Sequence, residues 1–254
     1  MSQRNILITG ASGGLAEAMI KQLPQEDFLI LLGRNKEKLE KLYSFHQKKV
    51  CLAIDIKDSQ AIQELVEKLW QTYGKIDILI NNAGFGTFKN AHEFSNTEIE
   101  EMFQVNSLAS IHFARLLGQK MATIGKGHII NIVSMAGLIA SAKSSIYSAT
   151  KFAVIGFSNA LRLELADSQV FVTTVNPGPI DTHFFDQADP SGAYLKSVEK
   201  FSLKPEEVAK RIIAILGKNK RDLNMPLALA CAHKCYILFP RISDYLARKV
   251  FNYK

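Results

Sequence analysis

The chain is predicted to fold as a doubly wound α/β domain built on a parallel sheet of about seven strands, with a helical extension at its C-terminal end. Three observations carry this expectation. Short continuous runs of Ile, Leu and Val alternate with stretches of helical periodicity, which is how strands buried on both faces of a parallel sheet read. A glycine turn follows the first run directly. No linker interrupts the chain, so a single domain is expected over residues 1–226 and an extension over 227–254. A (β/α)8 barrel would share the alternation, but a glycine turn straight after the first strand favours an open sheet, where ligands sit beyond the carboxyl ends of the strands.

The elements follow in order. Residues 5–9 (NILIT) form the first strand, and helical periodicity runs from 14 to 23 until Pro24 stops it. Residues 28–32 form the second strand, and Asn35 can cap a helix carrying Leu39, Leu42 and Tyr43. Residues 50–55 form the third strand. The helix after it, capped near Ser59, places Ile62, Leu65, Val66, Leu69 and Trp70 on one stripe. Strands four to six are expected at 76–81, 127–133 and 170–176, with helices at 97–118 and 146–166 between them. Residues 178–203 show polar breaks and little periodicity and read as a mobile loop over the site; about 178–204 is the expected substrate loop. Pro205 can begin a helix to Gly217, and 222–225 would add an edge strand.

Composition narrows the function classes. With 254 residues, 47% of them apolar, the chain can bury a sizeable core as a globular enzyme. Three cysteines (Cys51, Cys231, Cys235) and no secretory signal ahead of the first strand point to a reducing cytoplasm. The apolar run 225–240 is interrupted by His233 and Lys234 and is too short to span a bilayer. Eleven Lys/Arg stand against four Asp/Glu from residue 204 onward, a net +7 equal to that of the whole chain, so the first 203 residues balance. The basicity is therefore local, and no nucleic-acid partner is expected.

The turn Thr9, Gly10, Ala11, Ser12, Gly13, Gly14, Leu15, Ala16 joins the first strand to the first helix. Glycines there let backbone approach a pyrophosphate, as in a Rossmann-type dinucleotide site. Twenty residues beyond Gly14 stands Arg34, where a carboxylate would accept from a ribose 2′-hydroxyl. A guanidinium at that place suits a 2′-phosphate, so NADPH is expected over NADH. Asp55, with Ile56 beside it, can meet the adenine and its amino group. Tyr147 and Lys151 lie four apart in one helix, roughly 5–6 Å between Cβ atoms. A phenol titrates near 10, and a fixed ammonium beside it lowers that value.

The ordered set T9-G-A-S-G-G14-L-A16, D55, N81-N-A-G84, N106, S134, Y147-S-A-T-K151 and N176-P-G-P-I-D-T182 resembles the short-chain dehydrogenase/reductase family, in its single-domain Tyr-x-x-x-Lys branch, over about residues 3–217. Ala16 departs from the family's third glycine, a helix-packing position that Ala tolerates. The resemblance implies that Tyr147 exchanges the proton of a carbonyl or alcohol while Lys151 lowers its pKa and holds the ribose hydroxyls. It implies that Ser134 hydrogen-bonds the same oxygen and that Asn106 holds a water linking Lys151 to solvent. Asn82, Ala83 and Gly84 would line the adenosine and ribose, and Pro177, Gly178, Ile180 and Thr182 the nicotinamide. It also implies a homodimer or homotetramer paired through the helices at 97–118 and 146–166.

The expected activity is thus hydride transfer between NADPH and a small-molecule carbonyl or alcohol. Phe85, Phe88, Met135, Leu138, Phe184 and Phe185 suggest an apolar substrate lining. The alternative is a catalytically idle dinucleotide-binding sensor or scaffold, which would be expected to lack one of Tyr147, Lys151 or Ser134. No metal is expected: on a helix Cys231 and Cys235 share a face, His233 points away, and packing explains all three. His183 reads as a loop histidine, with a substrate-facing role as the lesser alternative. In the tail, Ile242, Tyr245, Leu246, Val250 and Tyr253 recur at helical spacing opposite Arg241, Asp244 and Arg248, and Pro240 divides this helix from the one before. Packing on its own domain or on another subunit is expected there, with a cap over the substrate cleft and peripheral contact with an anionic membrane surface left open.

Overall fold

The computed structural model describes residues 3–189, 192 and 201–250. Seven strands form one parallel sheet in the order β3-β2-β1-β4-β5-β6-β7. They are β1 (Asn5–Ile8), β2 (Phe28–Gly33), β3 (Lys49–Ala53), β4 (Ile78–Asn81), β5 (Gly127–Ile132), β6 (Val170–Pro177) and β7 (Asp222–Met225). The alternation of side chains along a strand divides the core in two. Ile6, Ile8, Leu29, Leu31, Ile78 and Ile80 face one layer, against α1 (Gly14–Ile20), α2 (Lys36–Leu42) and a later helix at Pro205–Ile213. Leu7, Ile30, Leu32 and Leu79 face the other, against α3 (Ser59–Tyr73), the helix at Ala109–Thr123 and the C-terminal end of the helix at Ser145–Glu164. Burial on both faces is why these strands read as unbroken apolar runs.

The strand order reverses at β1. The chain runs outward through β2 and β3, then returns across the sheet to lay β4 on the other side of β1. A crevice opens at such a reversal, beyond the strands' carboxyl ends. Thr9, just past β1, clips its two walls together, its Oγ1 accepting from the amides of Asn82 and Ala83 at 3.0 Å each. The Asn82 Nδ2 donates to the carbonyls of Thr9 and Gly10 at 3.1 Å. Beneath the turn, Tyr43 is fully buried and its hydroxyl donates to the Ala11 carbonyl. Burial raises the Tyr43 pKa above its ordinary value, so the phenol stays protonated and remains a donor.

Several boundaries differ from those expected. The third helix, expected to be capped near Ser59, begins there and is capped by Asp58, its carboxylate accepting from Gln60 and Ala61. Asn35 caps α2 as expected, accepting from Lys38 at 2.7 Å. β3 ends at Ala53, so Asp55 lies beyond the strand, and β4 begins only at Ile78. The single helix expected at 97–118 is α4 (Asn96–Phe103), a π turn at Gln104–Leu108, and α5 (Ala109–Thr123). Inside the wide turn Asn106 is tied in tertiary bonds to Phe85 and Thr150, which helical spacing alone does not disclose. α6 (Ser145–Glu164) follows β5.

The stretch read as a loop holds a short helix, α7 (Phe184–Ala188), with Phe185 and Ala188 buried and the Ala188 carbonyl accepting from Phe88 at 3.0 Å. A parallel bridge joins Ile180 to Leu203; 190, 191 and 193–200 lie outside the described residues. After it come α8 (Pro205–Ile213), β7, α9 (Leu227–Leu238) and α10 (Pro240–Val250). Pro240 does separate the last two helices, but α9 buries none of its residues and Ile242 of α10 is 59% exposed. Tyr253 lies outside the described residues, as do the side chains of Leu246 and Val250.

The Tyr43 contact generates the first prediction. Tyr43→Phe leaves the Ala11 carbonyl buried without its donor and should lower unfolding free energy by about 1–3 kcal/mol in urea titrations. A change under about 0.5 kcal/mol would mean the contact contributes little.

Candidate functional site

A cleft of about 1190 Å³ runs along the carboxyl edge of the sheet. Every residue expected to hold the cofactor lines it: Gly10, Ser12, Gly13, Gly14, Leu15, Arg34, Asp55, Ile56, Asn82, Ala83, Gly84, Tyr147, Lys151, Pro177, Gly178, Ile180 and Thr182. Ser134 lines it as well. Asn106 does not. It is buried behind the wall, its Oδ1 accepting from the Phe85 amide at 2.9 Å and its Nδ2 donating to the Phe85 carbonyl at 2.8 Å and to Thr150 Oγ1 at 3.1 Å. These bonds occupy both Nδ2 protons, while Oδ1, accepting once, keeps a second acceptor position.

The floor at one end is glycine where it must be. Gly10 has φ +62°, and a Cβ there would lie 2.7 Å from the Ala83 Cα. A Cβ on Gly14 would come within 2.9 Å of the Thr182 side chain, so the turn and the segment after β6 are in contact. Gly84 leaves space over the deepest charge in the cleft: a Cβ there would be 3.2 Å from Asn106 Oδ1 and 3.3 Å from Lys151 Nζ. Beside the glycine turn two exposed cations, Arg34 and Lys38, line the same cleft just past Gly33, the last residue of β2. Lys38 was not singled out from sequence; its place in the first turn of a helix capped by Asn35, four residues after Arg34, was the available signal.

Lys151 sits at the centre, 5% exposed, its Nζ 3.3 Å from the Ile132 carbonyl and 5.7 Å from the centroid of the Tyr147 ring. Burial disfavours the ammonium and lowers its pKa to about 8. The Tyr147 ring is held edge-on against Phe88 at 5.6 Å and packs on Phe184 at 5.9 Å. Ser134 Oγ accepts from the Ala136 amide at 3.0 Å, which leaves its proton to be donated. Phe85, Phe88, Met135, Phe184 and Phe185 form the apolar part of the wall as expected, joined by Ile139 and Ala140; Leu138 is not part of it.

Residues set aside also find their places. His183 is on the rim, its side chain 98% exposed with Nδ1 2.9 Å from Asp186 Oδ2. Cys231 and Cys235 are not packed, as expected from sequence, but exposed, and Cys235 lines the cleft's mouth. His233 Nδ1 lies 3.2 Å from the Leu138 carbonyl. Among the described residues no cluster of His, Cys, Asp or Glu could hold a metal ion. The mouth is also lined by Ala228, Leu229, Ala232 and Tyr236 of α9, and the Leu229 side chain would meet a Cβ on Gly178 at 3.0 Å.

A parallel sheet reversing at a glycine turn, with Tyr, Lys and Ser on one cleft, defines a Rossmann-type oxidoreductase scaffold. The match goes further: the family model for short chain dehydrogenase covers residues 4–191, and the chain belongs to the short-chain dehydrogenase/reductase family. It is 31% identical over 223 residues to an uncharacterized oxidoreductase of Staphylococcus aureus (strain USA300), a match covering 87% of this chain and 94% of that one. A serine dehydrogenase solved in its closed form with NADP+ is 30% identical, with a TM-score of 0.80, over 88% of this chain and 95% of that one. A short-chain dehydrogenase from Streptomyces avermitilis shares the fold at TM-score 0.85 and 24% identity, over 99% of this chain and 98% of that one.

The buried ammonium has a measurable consequence. Between about pH 8 and its ordinary 10.5, Lys151 is largely neutral when folded and charged when unfolded, so the unfolded chain binds more protons and stability rises with pH. Below pH 8 the full burial penalty applies, a few kcal/mol at about 1.4 kcal/mol per unit. Lys151→Met should therefore be more stable than the native chain at pH 7, and that advantage should shrink as pH rises toward 10.5. Equal stabilities at pH 7 in chemical denaturation would contradict the burial argument.

Proposed function

We propose that this protein is an NADPH-dependent oxidoreductase acting on a hydrophobic carbonyl compound or the corresponding alcohol. The observation that carries the reading is the shared wall of Tyr147, Lys151 and Ser134, with the glycine turn at one end of the same cleft and a phenylalanine cluster at the other. Arg34 and Lys38 support the phosphate form of the cofactor, since two cations stand where a ribose 2′-phosphate would need them. The structural neighbour solved with NADP+ is consistent with that preference.

The bound dinucleotide would supply hydride in reduction and take it up in oxidation. Tyr147 gives its phenolic proton to the substrate oxygen as negative charge develops there, or removes the alcohol proton in reverse. Ser134 donates a hydrogen bond to the same oxygen, its direction set by the bond it accepts from Ala136. Lys151, charged below about pH 8, stabilises the phenolate left on Tyr147 and offers its remaining protons to ribose hydroxyls. Asn106 acts as a positioning residue, pinning Phe85 to α6 through Thr150 and holding open the π turn behind Lys151. Exposed Leu108 at the end of the π turn and exposed Phe152 and Leu163 on α6 support pairing of two copies through this face.

Two measurements test the reading. With a panel of hydrophobic ketones and aldehydes, Tyr147→Phe should lower kcat by about 10²- to 10⁴-fold while NADPH affinity by fluorescence titration stays within about twofold; retained turnover removes the assignment. Arg34→Asp should lower the NADPH-over-NADH ratio of kcat/KM by about 10- to 100-fold, the worth of a charged hydrogen-bonded pair. A native preference for NADH left unchanged by the substitution removes the phosphate argument.

A further inference from the structure

The C-terminal helix pair presents a surface unlike the rest of the molecule. α9 is apolar all round, broken only by His233 and Lys234, and yet buries none of its residues. A helix of that composition is ordinarily enclosed by protein or by lipid. At its end and across the Pro240 bend, Ile237 is 63% exposed, Leu238 70% and Phe239 56%, three consecutive apolar side chains at one corner. Leu227 and Ile242 are exposed on the same two helices. Lys234 and Arg241 flank the corner and are exposed too, and after Asp222 the only acidic side chain in the sequence is Asp244, against five Lys/Arg from 234 to 254.

We propose that this corner docks the protein on the surface of an anionic lipid bilayer, with Ile237, Leu238, Phe239 and Ile242 entering the headgroup boundary and Lys234 and Arg241 meeting lipid phosphates. Charge complementarity selects this occupant. A second copy related by two-fold symmetry would bring the same basic patch against itself, whereas anionic headgroups answer it. The helices lie on the membrane and do not cross it, since no described helix is long and apolar enough to span. Position supports the same occupant: α9 also lines the mouth of the cleft through Leu229, Ala232 and Tyr236, so docking sets that mouth against lipid. On the reading of the function given above, an apolar substrate then passes from bilayer to cleft without crossing water.

Vesicle flotation of the full-length protein tests this, and it needs no enzymatic activity. The probes are vesicles of phosphatidylglycerol with phosphatidylcholine and vesicles of phosphatidylcholine alone. The native chain should float with the anionic vesicles and at least about tenfold less with the neutral ones, and high salt should reduce its binding. A double variant Ile237→Glu, Phe239→Glu and a second, Lys234→Glu, Arg241→Glu, should each lose about tenfold or more of that binding while melting at the native temperature, because all four side chains are exposed. Absence of flotation, equal flotation on both vesicle types, or unchanged flotation of both variants overturns the proposal. If light scattering shows a native dimer that Ile237→Glu, Phe239→Glu converts to monomer, with no flotation by either, the occupant is a second copy and the proposal falls.

Discussion

An ammonium held out of water is the constraint around which the cleft is arranged. Lys151 projects from α6 toward the carboxyl end of β5, where the Ile132 carbonyl is 3.3 Å from its Nζ. Its surroundings are shaped to admit it and little else. Gly137 lies so close that a Cβ would sit 3.0 Å from the Lys151 carbonyl carbon, and Gly84 would crowd Nζ itself if it carried a side chain. A buried cation with few fixed partners destabilises the folded chain. Such a group is expected where its charge is completed only when something else is bound, and the open side of Lys151 faces the cleft that the glycine turn borders.

The elements that bring this charge to the cleft were legible in the sequence to different degrees. Strands β1, β2 and β7 fall where apolar runs and the edge-strand signal place them, because two buried faces leave no room for polar residues on a central strand. The Asn35 cap was legible because capping is local chemistry, decided within three residues. The π turn was not. Its cause is the bonding of Asn106 to Phe85 and Thr150, partners 21 and 44 residues away. Helix α7 was missed for a similar reason: five residues are too few to show a period, and the segment is held by Phe88 pairing with Ala188. All the expected cofactor positions line one cleft: most lie at or just past the carboxyl end of a strand, which the sheet gathers together, and α6 brings Tyr147 and Lys151 to the same place. Asn106, expected at the site, lies behind the cleft wall, bonded to Phe85 and Thr150.

The cleft divides by chemistry along its length. The glycine end is bordered by Arg34 and Lys38, long cations that both remain exposed. The opposite end is aromatic: Phe88, Tyr147, Phe184 and Phe185 contact one another at ring separations of 5.3–6.2 Å. That cluster packs on the Tyr147 ring from two sides, Phe88 and Phe184. On the proposed function, one set of side chains would serve both substrate affinity and the orientation of Tyr147. A substitution at Phe88 or Phe184 would disturb the two together.

The extension bears on the same division. A cofactor-binding sheet is complete at β7, yet α9 turns back to place Leu229 beside Gly178 and Tyr236 at the cleft's mouth. It adds Ala228, Leu229, Ala232 and Tyr236 to the lining of the cleft. Its outward face stays apolar where a terminal helix in water would carry charge, so the selection acting on that face is not solubility alone. An apolar cleft whose rim continues into an apolar outer corner is the geometry expected when substrate and surroundings share a solvent preference. The net charge of +7 is carried by residues 204–254 while the first 203 residues balance, so the field of the molecule is positive toward this end.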